Sequence, residues 1–334
     1  MHTYECAVTV DGTSFDAQVA ITRDGIRAVH GGAFELSFAE IMDMRLLNYR
    51  LRLDLREGQA QISQLGYRTE DFFEELWAAY ATKSRVSLFV DDAPLMCSEG
   101  DYAYVEPAVE AHGIAKLEVY GECVCVYPHD VGARRIPLCF ADGCRREGFS
   151  LTLELDTGER YRLARLGRDT DGFFDRVEAN RKKARAQWRE AQAALERELP
   201  VRLGDAKDRF DVLERCGLRM ATGLFAPEDD GFWIVATKGG RAAVELVTTE
   251  NTATYLYGYA TSDDDFVLSL RHAMEAVGRN RRVIFVDDEE VEKELLYRMA
   301  IDRSAHVRFL RSCSVGRAIH TKGWEDRITA FFCE

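Results

Sequence analysis

The sequence predicts an α+β protein: two tandem β-barrels, each closed by a C-terminal helix, followed by a separate α+β unit. Three observations predict it. The chain matches itself at an offset near 100 residues in three collinear blocks. Within those blocks apolar and polar residues alternate at the two-residue period of a half-buried strand. Both copies then end in a stretch with helical spacing. The expected units are 1–90, 91–200 and 205–334, the last an α+β domain. A chain of 334 residues has room for two or three cores of this size.

The blocks justify the first two units. Leu51, Leu53, Leu55 and Gly58 match Leu151, Leu153, Leu155 and Gly158 at an offset of 100. Leu65, Gly66, Thr69, Phe72 and Phe73 match Leu166, Gly167, Thr170, Phe173 and Phe174 at an offset of 101. Upstream, Leu36, Phe38, Ala39 and Glu40 align with Leu138, Phe140, Ala141 and Asp142 at an offset of 102. The alternating leucines predict a strand, and Gly58 and Gly158 a hairpin turn that needs a permissive backbone. Thr69 and Thr170, each followed by an acidic residue, are expected as helix N-caps. The paired phenylalanines begin an apolar helix face that continues in the first copy through Leu76, Trp77 and Tyr80.

About seven strands, the LSFAEI strand at Leu36–Ile41, the Leu-x-Leu-x-Leu hairpin and a capping helix with Phe72, Phe73 and Trp77 resemble the pleckstrin-homology and GRAM superfold. The resemblance covers residues 5–85 and 108–198. It implies the barrel-plus-helix fold but no single activity, because that superfold carries many. Its phosphoinositide-binding members place Lys and Arg around the first strand-to-strand loop. Here VDGTSFDAQ carries Asp11 and Asp16 and no cation, and VEAHGIAKLE offers only Lys116 with His112. Phosphoinositide binding is therefore not expected in either copy. The second copy also departs from the first at Trp77, where Glu178 stands.

Beyond Thr170 the helix of the second copy overruns through EANRKKARAQWREAQAALERE, and Pro200 is expected to end it. Phe174, Val177, Ala184, Trp188, Ala191 and Leu195 form a thin apolar stripe, suited to a connecting helix leaning on a neighbouring domain or to a coiled-coil seam. In the last unit FWIVATKGGRAAVELVTTENTATYLYGY predicts a three-stranded meander turning at Lys238-Gly239-Gly240 and at Glu250-Asn251. A helix follows from Asp263 to Gly278. Then come a strand at RRVIFV, a helix at DDEEVEKELLYRMAI, the segment HVRFLRSCSVGRAIH and a terminal helix around Trp324, Ile328 and Phe331.

Composition narrows the function. Lys and Arg number 44 against 57 Asp and Glu, a net charge of −13, which disfavours a whole-surface binder of nucleic acid or anionic membrane. The N-terminus has no basic-then-apolar leader pattern, no apolar run suggests a membrane span, and the cysteines lack a disulfide-framework spacing. A cytoplasmic chain with reduced thiols is expected. Cys123, Cys125, Cys139 and Cys144 around His129 do not show paired zinc knuckles, and no nucleophile elbow, HExxH helix or P-loop is present. No metal, cofactor or catalytic residue is expected.

Positive charge concentrates late, at Arg279, Arg281, Arg282, Arg298, Arg303, Arg308, Arg311, Arg317, His320 and Lys322. Interdomain ion pairing is one reading of it. As a contact surface its candidate residues are Arg308, Arg311, Arg317 and His320. The expected function is non-catalytic binding or scaffolding of a protein or peptide partner, by strand addition or in the groove beside a capping helix. The alternatives are anionic-ligand or nucleic-acid binding by the Arg-rich unit, and an enzyme whose motif is not recognisable.

Overall fold

The computed structural model describes residues 2–88, 90, 92–106, 109–155, 158–202, 219–224, 232–247, 252–277 and 305–333. The first seven strands are β1 (Thr3–Val10), β2 (Thr13–Ile21), β3 (Gly25–Gly31), β4 (Glu35–Ser37), β5 (Ile41–Leu47), β6 (Arg50–Leu55) and β7 (Gln59–Ser63). They form one antiparallel sheet ordered β4-β3-β2-β1-β7-β6-β5, and helix α1 (Thr69–Ser87) packs into its concave side. The next seven are β8 (Met96–Glu106), β9 (Val109–Val119), β10 (Cys123–Pro128), β11 (Arg134–Pro137), β12 (Ala141–Glu147), β13 (Ser150–Leu155) and β14 (Arg160–Ala164). They repeat the order strand for strand, β11-β10-β9-β8-β14-β13-β12, with helix α2 (Thr170–Arg202). Each sheet is curled but open. β4 and β5 adjoin in sequence yet stand at opposite edges, so these are half-barrels.

Duplication is visible in the register. Both copies carry a bulge at the same point, between Ile41 and Asp43 and between Ala141 and Gly143. Gly58 and Gly158 both turn with positive φ, 78° and 87°, as their hairpins require. Leu51, Leu53, Leu151 and Leu153 face the two interiors, and Phe72 and Phe173 are each fully buried beneath their own sheet. Each such side chain contributes about 1.5–3 kcal/mol of burial.

Several expectations are corrected. The upstream block aligns at 100 rather than 102: the one-turn 3₁₀ helix Phe38–Glu40 corresponds to Leu138–Phe140, and Ile41 to Ala141. Chemical similarity of Phe38 to Phe140 favoured the wrong register, whereas the buried position of Phe38 is filled by Leu138. Thr69 and Thr170 are not N-caps. They are the first helical residues, and their hydroxyls donate backward to the carbonyls of Gly66 (2.7 Å) and Gly167 (2.8 Å), closing the preceding 3₁₀ turn. Helix α2 also continues to Arg202, two residues past Pro200. A proline so close to the end costs only one of the last intrahelical bonds.

The two half-barrels pack directly on one another. Trp77 of α1 donates its indole N–H to the Tyr127 carbonyl (3.1 Å), and its ring stands against His129 (4.0 Å between centroids). The outer edge of β5 is extended by the segment after β10: Met44 N–H donates to His129 O (2.9 Å) and Val131 N–H to Met42 O (3.2 Å). Ala81 and Leu88 close the joint on the outer face of β10, against Cys123, Cys125 and Tyr127.

The C-terminal unit is a five-stranded antiparallel sheet with helices on both faces. Its strands β15 (Arg219–Leu224), β16 (Phe232–Lys238), β17 (Arg241–Val247), β18 (Thr252–Gly258) and β19 (Ser314–Ala318) lie in chain order. Helices α3 (Asp263–Val277) and α4 (Ala305–Cys313) cover Trp233, Val244 and Tyr255 with Phe266, Leu270 and Leu310. Helix α5 (Trp324–Cys333) covers Ala236, Ala243 and Leu256 with Trp324, Ile328 and Phe332. The expected meander and helix are present here. The terminal helix buries Phe332, while the expected Phe331 is half-buried beside it. The expected turn at Glu250-Asn251, the strand RRVIFV and the helix DDEEVEKELLYRMAI lie outside the described residues. Trp188 of α2 leans on Phe140, and α2 reaches β15, so this helix connects half-barrel 2 to the last unit.

Candidate functional site

Two regions have the geometry of a site, and both follow from differences between the copies. The first is the β12 edge. Cys144 lies opposite Leu153 just as Met44 lies opposite Leu53, so the Cys144 N–H points off the sheet as the Met44 N–H does. In half-barrel 1 that position is paired with His129. In half-barrel 2, among the described residues, no strand lies outside β12. The Asp142 carbonyl, counterpart of the Met42 carbonyl, takes the Arg181 guanidinium at 3.5 Å instead. Glu178 replaces Trp77 beside this edge and pairs with Arg181 (2.8 Å) and Lys182 (3.3 Å). The Arg181 hydrogen bond is the main cause that holds the Glu178 carboxyl down to about 2. Burial, with Glu178 adding to it, lifts the Cys144 thiol to about 12, so Cys144 is a poor nucleophile at neutral pH.

The second region is the end of half-barrel 2 where the C-terminal unit docks. Arg134 of β11 makes a two-pronged ion pair with Glu106 at the tip of β8 (2.7 and 3.2 Å), and Tyr161 donates to the same carboxylate (3.0 Å). Beside it, Glu159 of the β13–β14 turn is 2% exposed. Its Oε1 meets Nε2 of His306 from α4, and its Oε2 lies 3.8 Å from Nδ1 of His272 from α3. Phe140 stacks on the His272 ring at 4.6 Å and 27°. These are the residues that could hold a metal ion: one ligand atom from each of the three lies within 4.8 Å of the others.

Half-barrel 1 differs at its matching end. A groove of about 580 Å³ lies between its β1–β2 and β6–β7 turns, lined by Thr9, Asp11, Arg52, Gln59 and Gln61. Asp11 also accepts from the Gln59 N–H (3.3 Å), so this groove presents a carboxylate and the Arg52 guanidinium together.

No protein-family model matches the chain, and neither does any curated protein sequence. Among the described residues no helix is long and apolar enough to cross a membrane.

The residues singled out from the sequence lie in separate places. Arg308 of α4 faces the end of half-barrel 2; burial and the neighbouring Arg134 charge lower its pKa. Arg311 is half-buried on the same helix. Arg317 is exposed on the outer strand β19 and interacts with Tyr255 across the ladder. His320 contacts Thr254 (2.6 Å) and Glu245 (3.2 Å), and Trp324 donates to that threonine (3.1 Å). Arg279, Arg281, Arg282, Arg298 and Arg303 lie outside the described residues. The four cysteines of the second copy also lie apart: Cys123 and Cys125 are in the joint with α1, Cys139 is in the interior, and Cys144 is beside Glu178.

Sequence reading missed Glu159, His272 and His306. The two histidines sit on different helices and share no spacing. Glu159 did leave a trace. The offset is 100 at Gly58 and Gly158 but 101 from Gln59 and Arg160 onward, so Glu159 is the residue without a counterpart in the first copy.

Proposed function

We propose that this chain is a non-catalytic binding protein, that its half-barrels are pleckstrin-homology-like modules, and that the β12 edge takes up an extended segment of a protein partner. The observation behind it is the pairing of β5 with residues His129–Val131, strand addition already in use at the equivalent edge of the first copy. Main-chain hydrogen bonds from an added segment would satisfy the outward Cys144 N–H. Arg145, Arg146 and Glu178 around the edge suit a charged segment better than an apolar one.

The test is a Cys144→Pro substitution, which removes that N–H, compared with Cys144→Ser, which keeps it. Proteins that co-purify with the wild-type chain are expected to be retained by the serine variant and lost by the proline variant, both variants showing wild-type circular dichroism. An unchanged set of bound proteins on a folded proline variant would defeat the proposal.

A further inference from the structure

We propose that Glu159, His272 and His306 bind one divalent transition-metal ion of the zinc class, and that this ion fastens half-barrel 2 to the C-terminal unit. The donor set is the first argument. Two imidazoles and one carboxylate suit zinc, cobalt, nickel or iron(II), whereas magnesium and calcium take oxygen ligands. Geometry is the second. At metal–ligand bonds of about 2.0–2.2 Å, two ligand atoms on a tetrahedral ion lie roughly 3.3–3.5 Å apart. Nδ1 of His272 stands 3.8 Å from Oε2 of Glu159, beyond hydrogen-bond reach of that oxygen but close to the ligand spacing. The contact between His306 and Oε1 of Glu159 is the one that an ion would replace.

Burial is the third argument. Glu159 is 2% exposed and His272 5%, so the attraction between the carboxylate and an ion held there would be little screened by water. The His272 ring is already held: Phe140 stacks on it, and Trp188 stands edge-on to Phe140 at 5.1 Å. The Leu155 N–H, donating to the Glu159 carbonyl (2.9 Å), fixes the turn that presents the carboxylate. The fourth argument comes from the duplication. The ligand from half-barrel 2 is the residue that half-barrel 1 lacks, and the other two come from helices of the unit docked on half-barrel 2. Three protein ligands leave a fourth tetrahedral position for water.

The experiment uses the purified full chain, loaded with zinc or with cobalt(II) and dialysed. One equivalent of metal by mass spectrometry and the intense visible bands of four-coordinate cobalt are expected. Removing an outer-shell partner typically weakens metal sites 10–100-fold, so losing a ligand in Glu159→Gln or His306→Gln should weaken binding by about a hundredfold or more. His112→Gln, on the exposed face of β9, should bind as wild type does. Because a ligand variant could fail to fold, chelation of the wild-type chain is the second readout. It should speed proteolysis between half-barrel 2 and the C-terminal unit. Failure of the wild-type chain to retain zinc or cobalt, full retention by folded ligand variants, or proteolysis indifferent to the chelator would each overturn the proposal.

Discussion

Replacing Trp77 should open the joint between the half-barrels without unfolding either one. The side chain is 1% exposed, donates to the Tyr127 carbonyl, packs on His129, and carries the Lys116 ammonium 4.4 Å from its ring centre. Trp77→Ala should cost about 3–5 kcal/mol, the range for truncating a buried tryptophan. Trp77→Phe keeps most of the apolar contact but strands the Tyr127 carbonyl, which costs about 1–3 kcal/mol. Glu178→Ala, at the matching position of the second copy, should cost about 0–1 kcal/mol. Its low carboxyl pKa does not raise that figure, because the side chain is 32% exposed and solvent screens its ion pairs. Several packed units need not unfold in one step, so local hydrogen exchange is the better assay. The Met44 and Val131 amides, which cross the joint, should exchange fastest in Trp77→Ala, less in Trp77→Phe, and at the wild-type rate in Glu178→Ala. Equal protection of those two amides in wild type and Trp77→Ala would refute the reasoning.

Three further outcomes are expected. Burial lowers the His129 pKa, partly opposed by Glu74 and Asp43 and aided by Lys116, so the unfolded chain takes up a proton near its ordinary value of about 6.5 before the folded chain does. Stability of the joint should be full above that pH and decline as pH falls toward the folded pKa. A denaturation series across pH should show this slope and lose it in His129→Gln. Arg134→Met leaves Glu106 buried without its partner and should cost about 3–5 kcal/mol, most of it recovered by adding Glu106→Leu; a melting curve for the single variant matching wild type would argue against a buried pair. Phe72→Ala and Phe173→Ala should each cost about 3–5 kcal/mol, with faster exchange confined to the half-barrel that carries the change.

The sequence disclosed what is periodic and local. Alternating leucines marked β6 and β13, paired phenylalanines marked the starts of α1 and α2, and the drift in offset marked the duplication. Contacts between distant segments left no comparable pattern. Thr69 looked like a cap because its type suits one, yet the 3₁₀ turn at Gly66–Arg68 had already begun the helix. The exchange of tryptophan for Glu178 was legible as a difference, but its reason is tertiary: Trp77 faces the neighbouring half-barrel, and Glu178 lies among charges beside the β12 edge. His272 and His306 each resemble ordinary helix residues until folding brings them to Glu159. The sequence left Arg308 open between interdomain ion pairing and a contact surface, because it does not record which end of half-barrel 2 the C-terminal unit meets.

The joint at β5 joins unlike surfaces: one module offers its flank, and the other offers the loop after its third strand. A head-to-flank contact of this kind has no two-fold axis, so repeated additions would build a row that ends in a ring where the rotation closes and in a filament where it does not. At the matching place in the second module Glu178, paired with Arg181 and Lys182, stands where that aromatic seat would be. Restoring tryptophan there would recreate a growing end, and with it the hazard of filaments.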